Sequence, residues 1–436
     1  MKTSLPRYLL IAAGLAFGGL TASAAEATNP ATVLTITGTA TALLPGATMP
    51  QPIQQGDKLP EGATITTGPG SIVNIQPFSG AVSTINENST VSLDKLSLQT
   101  SSSGKPTKQT ALLKLKTGSV VSMLDPGNKD INDYGVSTAK GVAAARGTDF
   151  TTSATDTGGS GITISANADT VQFTLADGST YSISQGSVVV TPPGGTPQPP
   201  VTLASLSNSN SPTALAAKAA IQAGVTAMTS VLSNNTGGLS SAATTGLAAS
   251  VISVANVAVP AAAAANTAAI ITAVSNNSSG TPGAVAASAI ATVMTAAVQA
   301  APTQVAAIAS SVATSVANSG QATAAASVGA AVSAAVTAAP ASAAAITSSV
   351  VTAVSSSANT AVASAVVTST VQAAVQAAPA SAAAIKPSGN GKKASLATAL
   401  PSSERPASFA FQIAMRDEST RDICPAPMPR VRSFAA

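Results

Sequence analysis

The chain of 436 residues carries only 8% charged and 2% aromatic side chains, with no Trp and no His, at a formal net charge of +4. That length allows two or three domains. The missing His excludes Ser-His and Cys-His nucleophiles and removes the usual nitrogen ligand of zinc. The charge is also uneven: residues 28–192 hold nine Lys or Arg against eleven Asp or Glu, and residues 386–436 hold eight against four. The N-terminal region is therefore no basic platform for nucleic acid, and it lacks the aromatics that would stack on bases.

Residues 1–27 have the form of a cleavable signal peptide. Lys2 and Arg7 form the charged start, Tyr8 to Leu20 the apolar run, and Ala22-Ser23-Ala24 or Ala25-Glu26-Ala27 the small-residue cleavage site. The run is too short for a good membrane span. Cys424 is the one cysteine and stands far from the cleavage region, so neither an N-terminal lipid anchor nor an internal disulfide is expected. The expectation is export to the bacterial periplasm, the outer membrane or the medium.

Residues 28–192 carry strand signals. Leu113 and Leu115 alternate with Lys114 and Lys116, and Val171, Phe173 and Leu175 alternate with Gln172 and Thr174, the period of a strand with one buried face. Asp177-Gly178 precedes Tyr181 and Ile183 as a hairpin turn with positive φ expected at both positions. Gln185-Gly186 gives another turn before Val188 to Val190. With Val, Ile, Leu and Ala as the packing residues, this length suffices for one β domain, a sandwich or roll.

Within that region Tyr134-Gly135-Val136-Ser137-Thr138-Ala139 stands ahead of Gly141-Val142-Ala143-Ala144-Ala145-Arg146-Gly147-Thr148-Asp149-Phe150. Upstream stand Gly56-Asp57, Leu59, Gly62, Ile65, Thr67-Gly68, Ser71, Val73 and Ile75, then Ser89, Leu93, Leu115, Gly118 and Val120. In this order the motifs closely resemble the FecR domain, a β-rich periplasmic module of bacterial envelope proteins. The resemblance covers about the first two fifths of the chain. It implies a module that binds an envelope protein or a surface ligand, with no cofactor and no enzymatic activity. Family members that regulate iron uptake place a cytoplasmic anti-sigma segment and a membrane span before this domain; here a signal peptide is expected in their place. The alternative is an accessory component of envelope signal sensing that lacks its own anti-sigma and transmembrane segments. The family-motif positions Gly56, Asp57, Thr67, Gly68, Ser71, Gly118, Val136, Thr138, Arg146, Gly147, Thr148 and Phe150 are expected to serve the fold.

Among these, Arg146 has two readings. It is either an exposed fork for an anionic partner or a structural residue paired with Asp149 or Asp57, and its small neighbours favour the second. Asp57, Glu61 and Asp149 are the carboxylates that could do acid-base work, but each sits in a turn-like context beside Gly or Thr. Asp125 to Asp133 spaces oxygen ligands as hard cations require, yet it lacks the turn glycine and the closing Glu of a calcium loop. A solvated hairpin loop is the better reading. Asn88-Ser89-Thr90 has the form of a glycosylation acceptor and is read as a turn.

Residues 193–211, rich in Pro and Gly, read as a linker. From Ala219 to Ile385 there are 167 residues without a charge, yet a period shows through. Pro302, Pro340 and Pro379 open three copies of one pattern spaced by 38 and 39 residues, with Pro260 and Pro212 opening longer, degenerate ones. Ile308, Val312 and Val316 recur every four residues, as do Ile346, Val350 and Val354, and Val328, Val332 and Val336. Residues 212–385 are therefore expected to form all-α alanine-rich hairpin repeats, with bends at Asn318-Ser319-Gly320 and Ser355-Ser356-Ser357. A flexible stalk is the competing reading, because Ser, Thr and Val are mediocre helix formers. The neutral array offers a surface for homo-oligomer contacts. Residues 386–436, with Lys392-Lys393 and several prolines, read as a disordered basic tail.

Overall fold

A computed structural model describes residues 26–155, 162–192, 194–234, 238–277, 283–355 and 360–385. Residues 1–25 of the expected signal peptide, Ser356, Ser357, Cys424 and the basic tail lie outside them. In chain order the strands are β1 (Glu26–Thr28), β2 (Ala31–Thr37), β3 (Ala40–Leu43), β4 (Gln51–Pro52), β5 (Lys58–Leu59), β6 (Thr64–Thr67), β7 (Ile72–Gln76), β8 (Ala81–Ile85), β9 (Thr90–Thr100), β10 (Pro106–Leu124), β11 (Asn132–Thr138), β12 (Gly141–Ala145), β13 (Asp149–Ala154), β14 (Ile162–Ala166), β15 (Val171–Leu175), β16 (Thr180–Ile183), β17 (Ser187–Thr191) and β18 (Val201–Thr202).

They form two sheets that share the long β10. Sheet A runs β4-β3-β6-β9-β10-β11-β12-β15-β16, with β1 beside β9, and its one parallel pair is β10 with β11. Sheet B runs β5-β2-β7-β8-β10-β13-β14-β17-β18. The first part of β10, Pro106 to Thr117, pairs with β9 in sheet A, and from Gly118 onward the strand pairs with β13 and β8 in sheet B. Gly118 makes the turn between sheets possible. Its φ is +86°, and a Cβ there would lie 2.5 Å from the Ser89 Cα, so both the backbone conformation and the space demand glycine.

Between the sheets lies a Val, Ile and Leu core centred on three of the ten aromatics. Tyr134 sits edge-on to Phe78 and Phe150, with centroids 6.2 and 6.1 Å away, an arrangement the ring quadrupoles favour. Its hydroxyl is satisfied inside the core by Ser83 Oγ at 2.7 Å and Ser122 Oγ at 2.9 Å. Burial nonetheless pushes its pKa up to about 12. The β15–β16 hairpin forms at Asp177-Gly178 with one difference from expectation. Only Gly178 has positive φ, while Asp177 accepts the Ser179 N–H at 2.8 Å and turns the chain through its side chain.

The helices are α1 (Leu203–Leu206), α2 (Pro212–Ser233), α3 (Ser241–Ala258), α4 (Ala263–Asn277), α5 (Gly283–Ala300), α6 (Val305–Asn318), α7 (Ala324–Ala338), α8 (Ala343–Ser355) and α9 (Thr360–Ala377). Successive even helices α2, α4, α6 and α8 stack in one layer and odd helices α3, α5, α7 and α9 in a second, a solenoid of helical hairpins. The expected Ile and Val stripes of α6, α7 and α8 are all buried. Pro260, Pro302, Pro340 and Pro379 each begin a 3-10 turn, and the residues before them, Val259, Ala301, Ala339 and Ala378, hold φ of −133° to −139° with ψ of 67° to 74°, whereas Pro212 opens α2 directly. Proline bars its predecessor from the α region, so one repeated steric rule sets these four corners. Gly320, at φ +69°, reverses the chain after α6.

Small side chains set the spacing of the layers. A Cβ on Gly329 of α7 would meet the Ser369 Oγ of α9 at 2.2 Å. Some polar side chains pair across helices: Gln222 and Asn266 exchange two amide hydrogen bonds of 3.1 and 3.0 Å, and the hydroxyls of Ser275 and Ser327 lie 2.9 Å apart.

Replacing Gly118 with Ala tests the shared strand. A methyl group against Ser89 at positive φ should cost roughly 2–4 kcal/mol, read as a lower urea midpoint with an unchanged slope. A variant as stable as the parent would show that β10 does not need this bend.

Candidate functional site

Most of the motif residues lie in turns at the ends of strands, and two lie in the core. Thr67 Oγ1 donates to the Asn86 carbonyl at 2.6 Å and accepts the Ser89 N–H at 2.9 Å. Ser71 Oγ accepts the Thr39 N–H at 2.9 Å, and Gly68 lies so close to Thr39 that a Cβ would meet its Oγ1 at 2.8 Å. Gly56 turns at φ +90°, and Asp57 Oδ2 accepts the Gln54 N–H at 2.7 Å. Thr138 Oγ1 donates to the Gly141 carbonyl at 3.0 Å, closing the β11–β12 turn. Val136 and Phe150 are core residues. Thr148 Oγ1 donates to the Ala168 carbonyl, and Gly147 lets Pro126 approach, since a Cβ would lie 2.9 Å from the Pro126 Cα. Asn88, in the expected turn, has φ +53°.

Arg146 differs from expectation. It is exposed, whereas Asp149 is fully buried and receives the Asn167 Nδ2–H at 2.7 Å on Oδ1, while its Oδ2 has no partner. The two therefore do not pair, because strand alternation places Asp149 on the outer face of sheet B, beneath a helix. The backbone of Arg146, through its carbonyl, accepts from Asn132 Nδ2 at 3.0 Å.

The acidic loop is also used structurally. Asp125 Oδ1 accepts the Gly127 N–H at 2.9 Å, and Oδ2 accepts the N–H of Ser240, the cap of α3, at 3.3 Å. Partial burial would raise its pKa, but the bonds from Ser240 and Gly127 outweigh that and hold it below the ordinary carboxylate value. Asp133 pairs with Lys108 at 2.9 Å. Among the described residues no group of three or more Cys, Asp or Glu side chains converges. Glu61 likewise accepts the Leu96 N–H at 2.8 Å, so the three carboxylates singled out for acid-base work each have separate local environments.

The feature missed in the sequence is the junction between the sheets and the array. The outer face of sheet B presents Val82, Val121, Met123, Val188 and Val190, and these share one continuous core with Ile221, Val225, Met228 and Val231 of α2. β18 and buried Leu203 of α1, inside the segment read as a linker, lead the chain onto that face. Gly224 allows close contact: its Cβ position is 3.0 Å from Asn167 Nδ2 and 3.4 Å from Thr151 Oγ1. Asn74 Nδ2 donates to Ser230 Oγ at 3.0 Å and Gln76 Nε2 to the Gly238 carbonyl at 3.5 Å. Beside the junction, a groove of about 480 Å³ runs between the ends of β2 and β7 and the α2–α4 pair. Thr37, Ile72, Gln222, Thr226, Ser233 and Asn266 are among its lining residues, and none of the lining side chains is charged.

A two-sheet β module whose second sheet carries a helical-hairpin solenoid is a multidomain protein of β and α parts. Residues 63–167, from the loop before β6 to the residue after β14, match the FecR protein family model, and this stretch is a FecR domain. Two crystal structures of a candidate anti-sigma factor from Parabacteroides distasonis ATCC 8503, at 2.50 and 1.65 Å resolution, are similar at 12% identity, with TM-scores of 0.25 and 0.26. Each similarity covers 33% of this chain, which spans 64% and 65% of those chains. No curated protein matches the chain.

The buried Asp149 makes the junction sensitive to pH. Desolvation raises its pKa to about 7, against which the Asn167 bond acts only in part. The one charge on α2, Lys218, donates to the Ser209 carbonyl at 2.8 Å. A raised folded pKa means that stability is full below the unfolded value near 3.8 and is lost as pH rises through about 7. Asp149→Asn keeps an acceptor for Asn167 and removes the titration. Between pH 4 and pH 7 the parent should lose up to about 4 kcal/mol relative to this variant, measured as diverging urea midpoints. Parallel pH profiles would refute the assignment.

Proposed function

We propose that this chain is an exported, non-enzymatic binding protein of the bacterial envelope, in which the FecR domain and the solenoid act as one scaffold. The observation that supports this best is the docking of α2 on sheet B. It covers the FecR domain's second sheet with the array, so a partner bound by either part is held in fixed geometry to the other. The expected polar motif residues are occupied by turns and corners, and the accessible surfaces are the outer face of sheet A, the uncharged groove and the array. A relay role in envelope signalling is the second reading, favoured by the FecR match at residues 63–167.

Fusing residues 1–40 to a reporter active only after export should give periplasmic activity, and a cytoplasmic reporter would overturn the export reading. Cleavage after Ala24 would leave β1 whole, whereas cleavage after Ala27 would remove most of it. Cross-linking the full chain in envelope extract should capture a discrete envelope protein; a sigma regulator or an outer-membrane receptor would select the relay reading.

The array supplies the self-association surface in this proposal, because a chargeless surface has no like-charge repulsion. Ala307, Ala326 and Ala365 are exposed on α6, α7 and α9. Replacing the three with Lys should shift an oligomer to monomer in sedimentation at unchanged helicity. A strictly monomeric parent would leave the array as a spacer.

A further inference from the structure

Sheet A, unlike sheet B, has its strands packed on the core by one face only. Lys114 and Lys116 project outward from β10, alternating with the buried Leu113 and Leu115. Both are exposed. The parallel register that sets Lys114 beside Ser137 brings Lys116 level with the Ala139-Lys140 turn, so three ammonium groups gather at one end of the face. Of the neighbouring acids, Asp133 is paired with Lys108, and Glu61 and Glu87 are turned onto the Leu96 and Gly70 N–H groups, while exposed Asp94 of β9 offsets part of the lysine charge.

The same face carries an apolar tip. Leu43, Leu44 and Met49, on and beyond β3, are 36%, 40% and 68% exposed, and they are three of the four large exposed hydrophobics among the described residues. The registers Leu43–Thr64, Thr64–Ser92 and Ser92–Lys114 place tip and lysines in one transverse row. Three strand spacings separate them, roughly 14 Å.

We infer that this face docks peripherally on an anionic lipid surface, with Lys114, Lys116 and Lys140 against headgroup phosphates and Leu43, Leu44 and Met49 in the acyl boundary. This rests on the envelope reading above for its setting, but not on any protein partner. Charge complementarity selects the sign of the surface, and the apolar tip selects lipid over a soluble polyanion, since hydrophobic side chains gain nothing from a hydrated acidic polymer. Neither element suffices alone: exposed Lys114 and Lys116 with half-buried Lys140 are screened by salt, and three apolar side chains bury little area. The docking is therefore reversible and salt-sensitive.

Flotation of the full chain tests this with vesicles of equal phosphatidylglycerol and phosphatidylcholine, against phosphatidylcholine alone, at 20 and 300 mM salt. The expected result is binding to the anionic vesicles only, lost at high salt. Lys114→Gln/Lys116→Gln/Lys140→Gln should lower the bound fraction at least fivefold, as should Leu44→Ser/Met49→Ser. The charge-conserving Lys114→Arg/Lys116→Arg/Lys140→Arg set should retain it, which separates charge from folding. No flotation, equal flotation with neutral vesicles, or parental binding by both weakened variants would overturn the proposal. Retention of the parent, the Leu44→Ser/Met49→Ser variant and the arginine set on polygalacturonate, with loss of the glutamine set, would assign the face to acidic polymers and also overturn it. A failure here leaves capture of an envelope protein untouched, and a failed export reporter leaves vesicle binding untouched, so the two readings fall separately.

Discussion

The architecture depends on burial of both faces of sheet B. Its inner side chains meet sheet A across the aromatic centre, and its outer valines and Met123 meet α2. Such side chains contribute about 1.5–3 kcal/mol each when fully buried, so leaving the outer face wet would forfeit a large part of the usual net stability of a domain. Docking of α2 thus completes the FecR domain as much as it begins the solenoid. It also fixes direction: α4 stacks on α2, α6 on α4 and α8 on α6, and every later repeat inherits its placement from that first contact.

The solenoid meets the same requirement with little chemistry. An Ala or Ser contact buries less area than a Leu contact, but it lets helices approach closely and costs little side-chain entropy. The proline corners supply what side chains do not, because a pre-proline residue excluded from the α region ends one helix and starts the next at a fixed angle. α2 and α3 are long and apolar enough to cross a membrane by length and composition alone, and half of each is buried within the protein. That apolarity is accounted for in part by packing on sheet B and on neighbouring helices.

Much of this was legible in the sequence where a local rule has a single outcome. Period-two alternation identified β10 and β15, Gly at 178 and 186 marked turns, and Pro at 302, 340 and 379 marked the repeats. The FecR motifs located the β module because their Gly, Thr and Ser residues are corner chemistry that tolerates few substitutes. What escaped was long-range: the docking of α2, the burial of Asp149 and the isolation of Arg146 from it. A signal was nonetheless present. Val188-Val189-Val190 and Val120-Val121-Ser122-Met123-Leu124 do not alternate, and an unbroken apolar run in an antiparallel strand means that both faces are covered. The partner of that second face lies about a hundred residues away along the chain for β10, beyond the reach of any local pattern.

The two sheets therefore divide the work by composition. Sheet B can carry a carboxylate such as Asp149 only by suppressing its charge, since a low-polarity junction penalises the ionised form. Sheet A exposes Lys114 and Lys116 on its outer face, where water reaches them. Among the described residues, the groove beside α2 is neutral and the array is chargeless from Ala219 to Ile385, so neither offers a charged partner what the outer face of sheet A does. The same burial that fastens the solenoid to the FecR domain leaves the opposite face as the place where this protein can discriminate by charge.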